Sequence, residues 1–171
     1  MKLNEDVFIN NAGLVLLNGY FPLLFERLAL TKGIRFKNEK LQLQAVHCLQ
    51  YLATGIEQTE APFLVLNKLI CGLPIETLGN EETPISENQK ELMQGLLDAV
   101  IYQWTAIGTT SHDGFRKNWF QREGKLSEKV AHWELTVQNR SYDMLLYKVP
   151  FSFRILSFPW MLKPLHVNWQ Y

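Results

Sequence analysis

Gly72 and Pro74 follow the apolar run from Leu66 to Cys71 and limit it to one short helix. Glycine readily adopts the left-handed conformation that ends helices, and proline cannot continue a helix. Lys68 is expected to point towards water, away from the apolar face of this helix. That face consists of Leu66, Leu69 and Ile70. The run therefore predicts a short buried helix with a sharp end at Gly72.

The length and the charge of the chain limit its fold class and its partners. Of its 171 residues, 47% are hydrophobic and 20% are charged, which predicts one globular domain over residues 1–171. A chain of this length can bury a core without metal ions or disulfides. Its 17 basic and 17 acidic side chains cancel. Because no net charge attracts the chain to polyanions, we expect neither nucleic acid nor a membrane among its partners.

The two cysteines, Cys48 and Cys71, both lie on apolar helical faces. This placement favours two buried, reduced thiols, although a disulfide between them stays open as an alternative. A zinc site is not expected, because His47 would point away from the helix face of Cys48. We therefore predict no metal site and no cofactor.

The N-terminal third predicts neither a membrane span nor a signal peptide. Its longest apolar stretches are broken by Gly19, Pro22 and Glu26, well short of the roughly 20 residues that cross a bilayer. The acidic residues Glu5 and Asp6 directly precede the first apolar run, which is the wrong pattern for a signal peptide. A soluble, cytoplasmic protein is expected.

Three helices have recognisable ends. Pro22 is suited to the first turn of one helix. Asn38 is a candidate N-cap for a second, which Gly55 would end. Ser86 and Gln89 have the spacing of a capping box, which predicts the start of a third. The inward face of this third helix is predicted to contain Leu92, Leu96, Leu97, Val100, Ile101 and Trp104.

The hydrophobic period changes from helical to alternating after Gly124. Trp133, Leu135 and Val137 alternate with polar residues, as in a half-buried strand, and Leu165 and Val167 suggest a last strand. The order predicts an α+β fold. Its N-terminal two-thirds, about residues 1–123, would be mainly helical, with a small antiparallel β portion at the C-terminus, about residues 124–171.

No catalytic constellation stands out. The four histidines are scattered, and the pair His112–Asp113 could orient a base but has no recognisable nucleophile. Arg122 and Glu123 are interpreted as an ordinary pair on a solvated face. We therefore predict no enzyme, although a polar pocket that gathers His112, Asp113 and Glu123 would reopen that possibility.

The C-terminal segment is rich in aromatic side chains. They are Phe151, Phe153, Phe158, Trp160, Trp169 and Tyr171. Aromatic residues fill cores, but they also supply contact area at protein interfaces, so both readings stay open.

Six segments, in one fixed order, are spread along nearly the whole chain and form a specific set. They are Asn11–Leu17, Leu24–Leu28, Ala45–Gly55, Leu66–Pro74, Gln121–Leu126 and Pro159–Met161. In this combination the chain resembles the C-terminal-type domain of contractile injection system tape measure proteins. Such proteins belong to the phage-tail-like machines of bacteria.

The resemblance implies a structural, non-enzymatic role at the spike and baseplate end of the inner tube. Spike, baseplate or inner-tube proteins would be its partners, and the symmetry of such particles would allow a homo-oligomer. Even as one continuous helix, 171 residues would span only about 260 Å. The chain is therefore not expected to be the ruler of a long tube by itself. The alternative is a small cytoplasmic adaptor or chaperone that binds cargo or components of such a particle.

If the chain docks on such a partner, the contact is expected on the C-terminal aromatic segment. The residues concerned are Phe158, Trp160, Met161 and Trp169. In the competing interpretation, Pro159 and Trp160 form a turn whose indole only fills the core.

Overall fold

The computed structural model describes residues 5–57, 63–78 and 84–171 of the chain. Five α-helices are found in this part. They are α1 (Phe21–Arg27), α2 (Glu39–Thr54), α3 (Val65–Ile70), α4 (Glu87–Gln103) and α5 (His112–Phe115). Tighter 3₁₀ segments run over Ala12–Tyr20, Thr105–Ile107 and Asp143–Lys148, and a π-helical turn over Arg116–Phe120. None of these helices is long and apolar enough to cross a membrane.

In the same described part of the chain, seven short strands form two sheets. They are β1 (Val7–Ile9), β2 (Thr31–Lys32), β3 (Arg35–Phe36), β4 (Gly124–Glu128), β5 (Trp133–Val137), β6 (Ile155–Leu156) and β7 (Leu165–Asn168). The larger sheet has the order β1-β4-β5-β7-β6, and β2 pairs with β3 in a separate hairpin. In the larger sheet β5 and β7 are parallel, whereas the other neighbours are antiparallel.

This sheet corrects the predicted distribution of the elements. The fold is α+β, but the sheet is mixed, its edge strand β1 comes from the N-terminus, and helical turns recur at Asp143–Lys148. The prediction of a mainly helical N-terminal two-thirds followed by a small antiparallel C-terminal portion was therefore wrong. A strand of three residues is too short to show its period, and residues 138–164 are long enough for the crossover that a parallel pair needs.

The ends of α2 and α4 agree with their capping residues. Asn38 accepts a hydrogen bond from the backbone N–H of Leu41 at 2.8 Å, and Gly55 has a φ of 78°. The capping box between Ser86 and Gln89 is present in both directions.

The buried face of α4 differs from the predicted one. The face that enters the core contains Met93, Leu97, Val100 and Trp104. Leu92 is 37% exposed, and Leu96 and Ile101 are only partly buried. The helix therefore has more apolar surface than the core takes up.

The helix α3 ends as predicted, but its lysine is not solvated. Gly72 follows it with a φ of 77°, and the backbone N–H of Leu73 donates to the carbonyl of Lys68 at 2.9 Å. Lys68 is buried, and its Nζ donates to the carbonyl of Ile75 at 3.4 Å. Burial lowers the pKa of Lys68, and the charge of Glu76 partly opposes that effect.

Candidate functional site

The segment 158–162, called the 158–162 turn below, places three of the four predicted docking residues together. The ring centroids of Phe158 and Trp160 lie 5.1 Å apart and nearly parallel. The backbone N–H of Met161 donates to the carbonyl of Phe158 at 2.9 Å, which closes the turn. All three side chains are half-buried, while Pro159 and Leu162 are exposed, Leu162 by 69%.

The indole of Trp160 anchors this turn on the helical layer. Its Nε1 donates to the carbonyl of Ile70 at 2.8 Å, at the end of α3. Its ring lies 5.2 Å from that of Phe36 and 5.9 Å from that of Phe25, measured between centroids. Trp160 is thus a packing residue and a partly exposed one at the same time.

Gly72 makes this close approach possible. A Cβ atom at position 72 would lie 2.0 Å from the carbonyl oxygen of Trp160, a distance that no side chain tolerates. Gly72, which ends α3, therefore also lets the 158–162 turn pack directly against the backbone at that point. The sequence indicated the first role through its Gly-Pro spacing, whereas the second depends on residues far along the chain.

Trp169, the fourth predicted docking residue, has no exposed surface. Its Nε1 donates to Oδ2 of Asp143 at 2.9 Å, and its ring packs against that of Phe153. In this fold, a docking surface can be built from the 158–162 turn but not from Trp169.

Arg122 and Asp143 form a buried ion pair that the sequence did not indicate. Nη1 and Nη2 of Arg122 donate to the two carboxylate oxygens of Asp143 at 2.8 and 2.6 Å. Both side chains are almost completely buried. The guanidinium also lies over three aromatic rings, those of Trp119, Tyr142 and Trp169. The interpretation of Arg122 as a solvated residue was therefore wrong; the only hint in the sequence was its position beside Trp119 and Phe120.

The pKa of Asp143 is lowered. Burial by itself would raise the pKa of this carboxyl group, but hydrogen bonds from Arg122, Trp169 and the backbone N–H of Arg140, together with the charge of Arg122, outweigh it. The Nε of Arg122 donates to the carbonyl of Asn118 at 2.8 Å. Arg122 therefore bonds both to Asn118, in the π-helical turn, and to Asp143. In this way it connects the π-helical turn to the segment Asp143–Lys148.

The groups considered for catalysis are not brought together. His112 bonds to Asp98 through its Nε2, and Asp113 pairs with Arg116 at 3.1 Å. Glu123 lines a hollow with Phe8 and Phe63, whose described lining includes neither His112 nor Asp113. The histidine and the aspartate instead tie α5 to its neighbours.

The two cysteines are buried free thiols. Burial raises the pKa of Cys48 to about 12. Burial, and to a smaller extent the neighbouring Cys48, raises the pKa of Cys71 as well. Over residues 5–57, 63–78 and 84–171, no group of three or more His, Cys, Asp and Glu side chains is placed to hold a metal ion.

Comparison with known proteins identifies a family. The family model described as contractile injection system tape measure protein matches residues 1–169. No curated protein and no solved structure matches the chain. Because the match covers nearly all of the sequence, this chain belongs to the contractile injection system tape measure protein family.

Proposed function

We propose that this domain is a non-enzymatic assembly unit, which docks at the spike and baseplate end of the inner tube of a contractile injection particle. Membership of the tape measure family over residues 1–169 is the observation that carries the proposal. Its partners would be spike, baseplate or inner-tube subunits, joined in the cytoplasm, without nucleic acid or a membrane. Particle symmetry would allow several copies to dock together.

The short elements of the domain favour a docking role over the role of a ruler that sets the length of the tube. Its longest helix, α4, has 17 residues and so spans about 26 Å. A ruler needs an extended element whose length follows that of the tube, whereas short elements around one core give a rigid unit. The domain would therefore hold an end of the assembly in place.

We assign the docking contact to the 158–162 turn. It combines two half-buried aromatic rings with exposed Pro159 and Leu162, and aromatic residues in this setting are frequent at interface centres. The hydrogen bond from Trp160 to Ile70 and the close fit on Gly72 hold the turn in one conformation. A rigid contact loses little conformational freedom on binding.

Leu162→Glu tests this contact without disturbing the core. The full chain, tagged, is recovered from the bacterium that produces the particle, and bound spike, baseplate and inner-tube subunits are quantified by mass spectrometry. We expect recovery of one of these subunits to fall at least tenfold, because an exposed apolar side chain becomes a charge. Met144→Glu, which alters a side chain that is 65% exposed on another segment, is the matched control and should leave recovery unchanged.

Two results would overturn the proposal. Unchanged recovery in Leu162→Glu would remove the 158–162 turn from the contact. Recovery of only a soluble effector by the unmodified chain would favour the alternative, an adaptor or chaperone. Trp160→Ala is a weaker test, because its indole also holds the end of α3, so loss of binding could follow from loss of folding.

A further inference from the structure

The helix α4 has a second apolar stripe, which the core of the domain does not use. Met93, Leu97 and Val100 are buried, but Leu92 and Ala99 are exposed, and Leu96 is only partly buried. Exposed Leu23 of α1 lies across from this stripe. Together α1 and α4 enclose a mostly apolar groove of about 690 Å³, called the α1–α4 groove below.

The groove has the geometry that receives a helix. Leu92, Gly95, Leu96 and Ala99 occupy positions i, i+3, i+4 and i+7, which form the four corners of a hole for a side chain of a facing helix. A Cβ atom at Gly95 would meet nothing within 4 Å, so the space above this corner of the hole is open. With small residues at two corners, the hole accepts a large apolar side chain. The lined part, from residue 88 to residue 99, is about 17 Å long, or three helical turns.

The charges at the rim indicate the chemistry of the occupant. Glu91 lies on the α4 side of the groove and Arg27 on the α1 side. Neither makes an ion pair with any residue in the described ranges. A complementary helix would carry a basic side chain towards Glu91 and an acidic one towards Arg27.

We propose that the α1–α4 groove binds an amphipathic α-helix of another protein chain. The helix inserts one large apolar side chain over Gly95 and is flanked by a base that faces Glu91 and an acid that faces Arg27. The lining of this groove shares no residue with the 158–162 turn, so the proposal stands or falls independently of the docking contact proposed above.

Photo-cross-linking in assembled particles tests the groove directly. The photoreactive residue p-benzoylphenylalanine replaces Ala99 in the full chain, the particles are purified and irradiated, and the cross-linked peptide is sequenced by mass spectrometry. We expect one segment of a different subunit, with apolar residues at i, i+3 or i+4, and i+7, and with a basic residue beside them. The corresponding synthetic peptide should gain helical circular dichroism when it is mixed with the domain.

Gly95→Leu is the variant that separates binding from folding. The added side chain meets open space in the free domain but fills the hole, so cross-linking should fall at least tenfold while the thermal unfolding midpoint is kept. Gln94→Leu adds the same side chain one residue away on the same helix, outside the groove lining, and should leave cross-linking unchanged. Glu91→Lys should weaken binding of the synthetic peptide, and reversing the basic residue of the peptide should restore it.

Each contrary result overturns the inference. These results are the absence of a cross-link, a cross-link to a second copy of this chain, a cross-link to an extended segment, and a cross-link that is equally strong in Gly95→Leu.

Discussion

Asp143 is the residue on which the buried polar cluster around Arg122 depends. Its carboxylate accepts hydrogen bonds from Arg122, Trp169 and the backbone N–H of Arg140. Three separate segments therefore meet at one side chain. A buried ion pair of this kind adds little net stability against an apolar replacement, but the loss of one partner leaves a charge without compensation.

Asp143→Asn should lower the free energy of unfolding by about 3–5 kcal/mol, because the guanidinium of Arg122 stays buried without a counter-charge. Urea denaturation at neutral pH measures the change. Glu134→Gln is the control, since the pair of Glu134 with Lys129 is half-exposed and spans 3.9 Å. Such surface pairs contribute at most about 1 kcal/mol. Equal effects of the two substitutions would show that the buried pair is not a stabilising centre.

The lowered pKa of Asp143 also predicts how stability depends on pH. A carboxyl group whose pKa is lower in the folded state contributes its stability in full above the unfolded value, near 3.9. The contribution is lost as the pH falls from there through the folded pKa. The difference in unfolding free energy between the unmodified chain and Asp143→Asn should therefore be constant from about pH 5 to 7 and should shrink below about pH 4. A difference that grows towards acid pH would contradict this assignment.

At the scale of elements, Gly72 links the end of α3 to the 158–162 turn. Gly72→Ala should lower the free energy of unfolding by more than about 2 kcal/mol, because a φ of 77° disfavours alanine and the new Cβ would clash with the carbonyl of Trp160. Gly19→Ala is the control, because a Cβ there meets nothing within 4 Å. Thermal unfolding compares the two variants. Similar midpoints would mean that the turn does not rest on α3.

The helices were easier to predict from the sequence than the sheet, since their signals are local. The capping box of α4 and the terminal glycines of α2 and α3 involve residues within one turn of each other, and the structure agrees with them. By contrast, β1 pairs with β4 across more than 100 residues of chain, as with Val7 and Leu126. A pattern of three residues carries no information about such a partner.

The candidate site was only partly predictable for the same reason. The aromatic composition predicted that the 158–162 turn belongs to a docking surface. The packing of the turn on Gly72 and the burial of Trp169 could not be predicted, because both depend on residues far apart in the chain. Arg122 was misread because its partner Asp143 lies 21 residues further along. The apolar residues of α4 predicted that this helix buries one face. The sequence could not show which of them enter the core and which line the groove.

On the scale of the whole molecule, the two proposed surfaces would make the domain a connector between two partners. The 158–162 turn would meet a subunit at the spike or baseplate end, and the α1–α4 groove would receive a helix from another chain. Phe21 of α1 packs against Phe158, with 6.3 Å between ring centroids, so the helix that lines the groove also contacts the 158–162 turn. Two contacts on elements that pack against each other would fix the relative orientation of their partners, which is what an assembly unit needs.

The thiols test whether residues 1–171 form one domain, which remains a prediction. Cys48 lies in α2 and Cys71 just after α3, and burial keeps both thiols protonated and out of reach of reagents. Trp133 and Trp169 are buried in the part of the chain that contains most of the sheet. If one core holds both parts, thiol labelling at pH 8 and the ¹⁹F NMR signals of Trp133 and Trp169, in a chain labelled with fluorotryptophan, should report the same urea midpoint. Thiol labelling that precedes the change in these two signals would show that the helical part opens independently, and the chain would then contain two cooperative units.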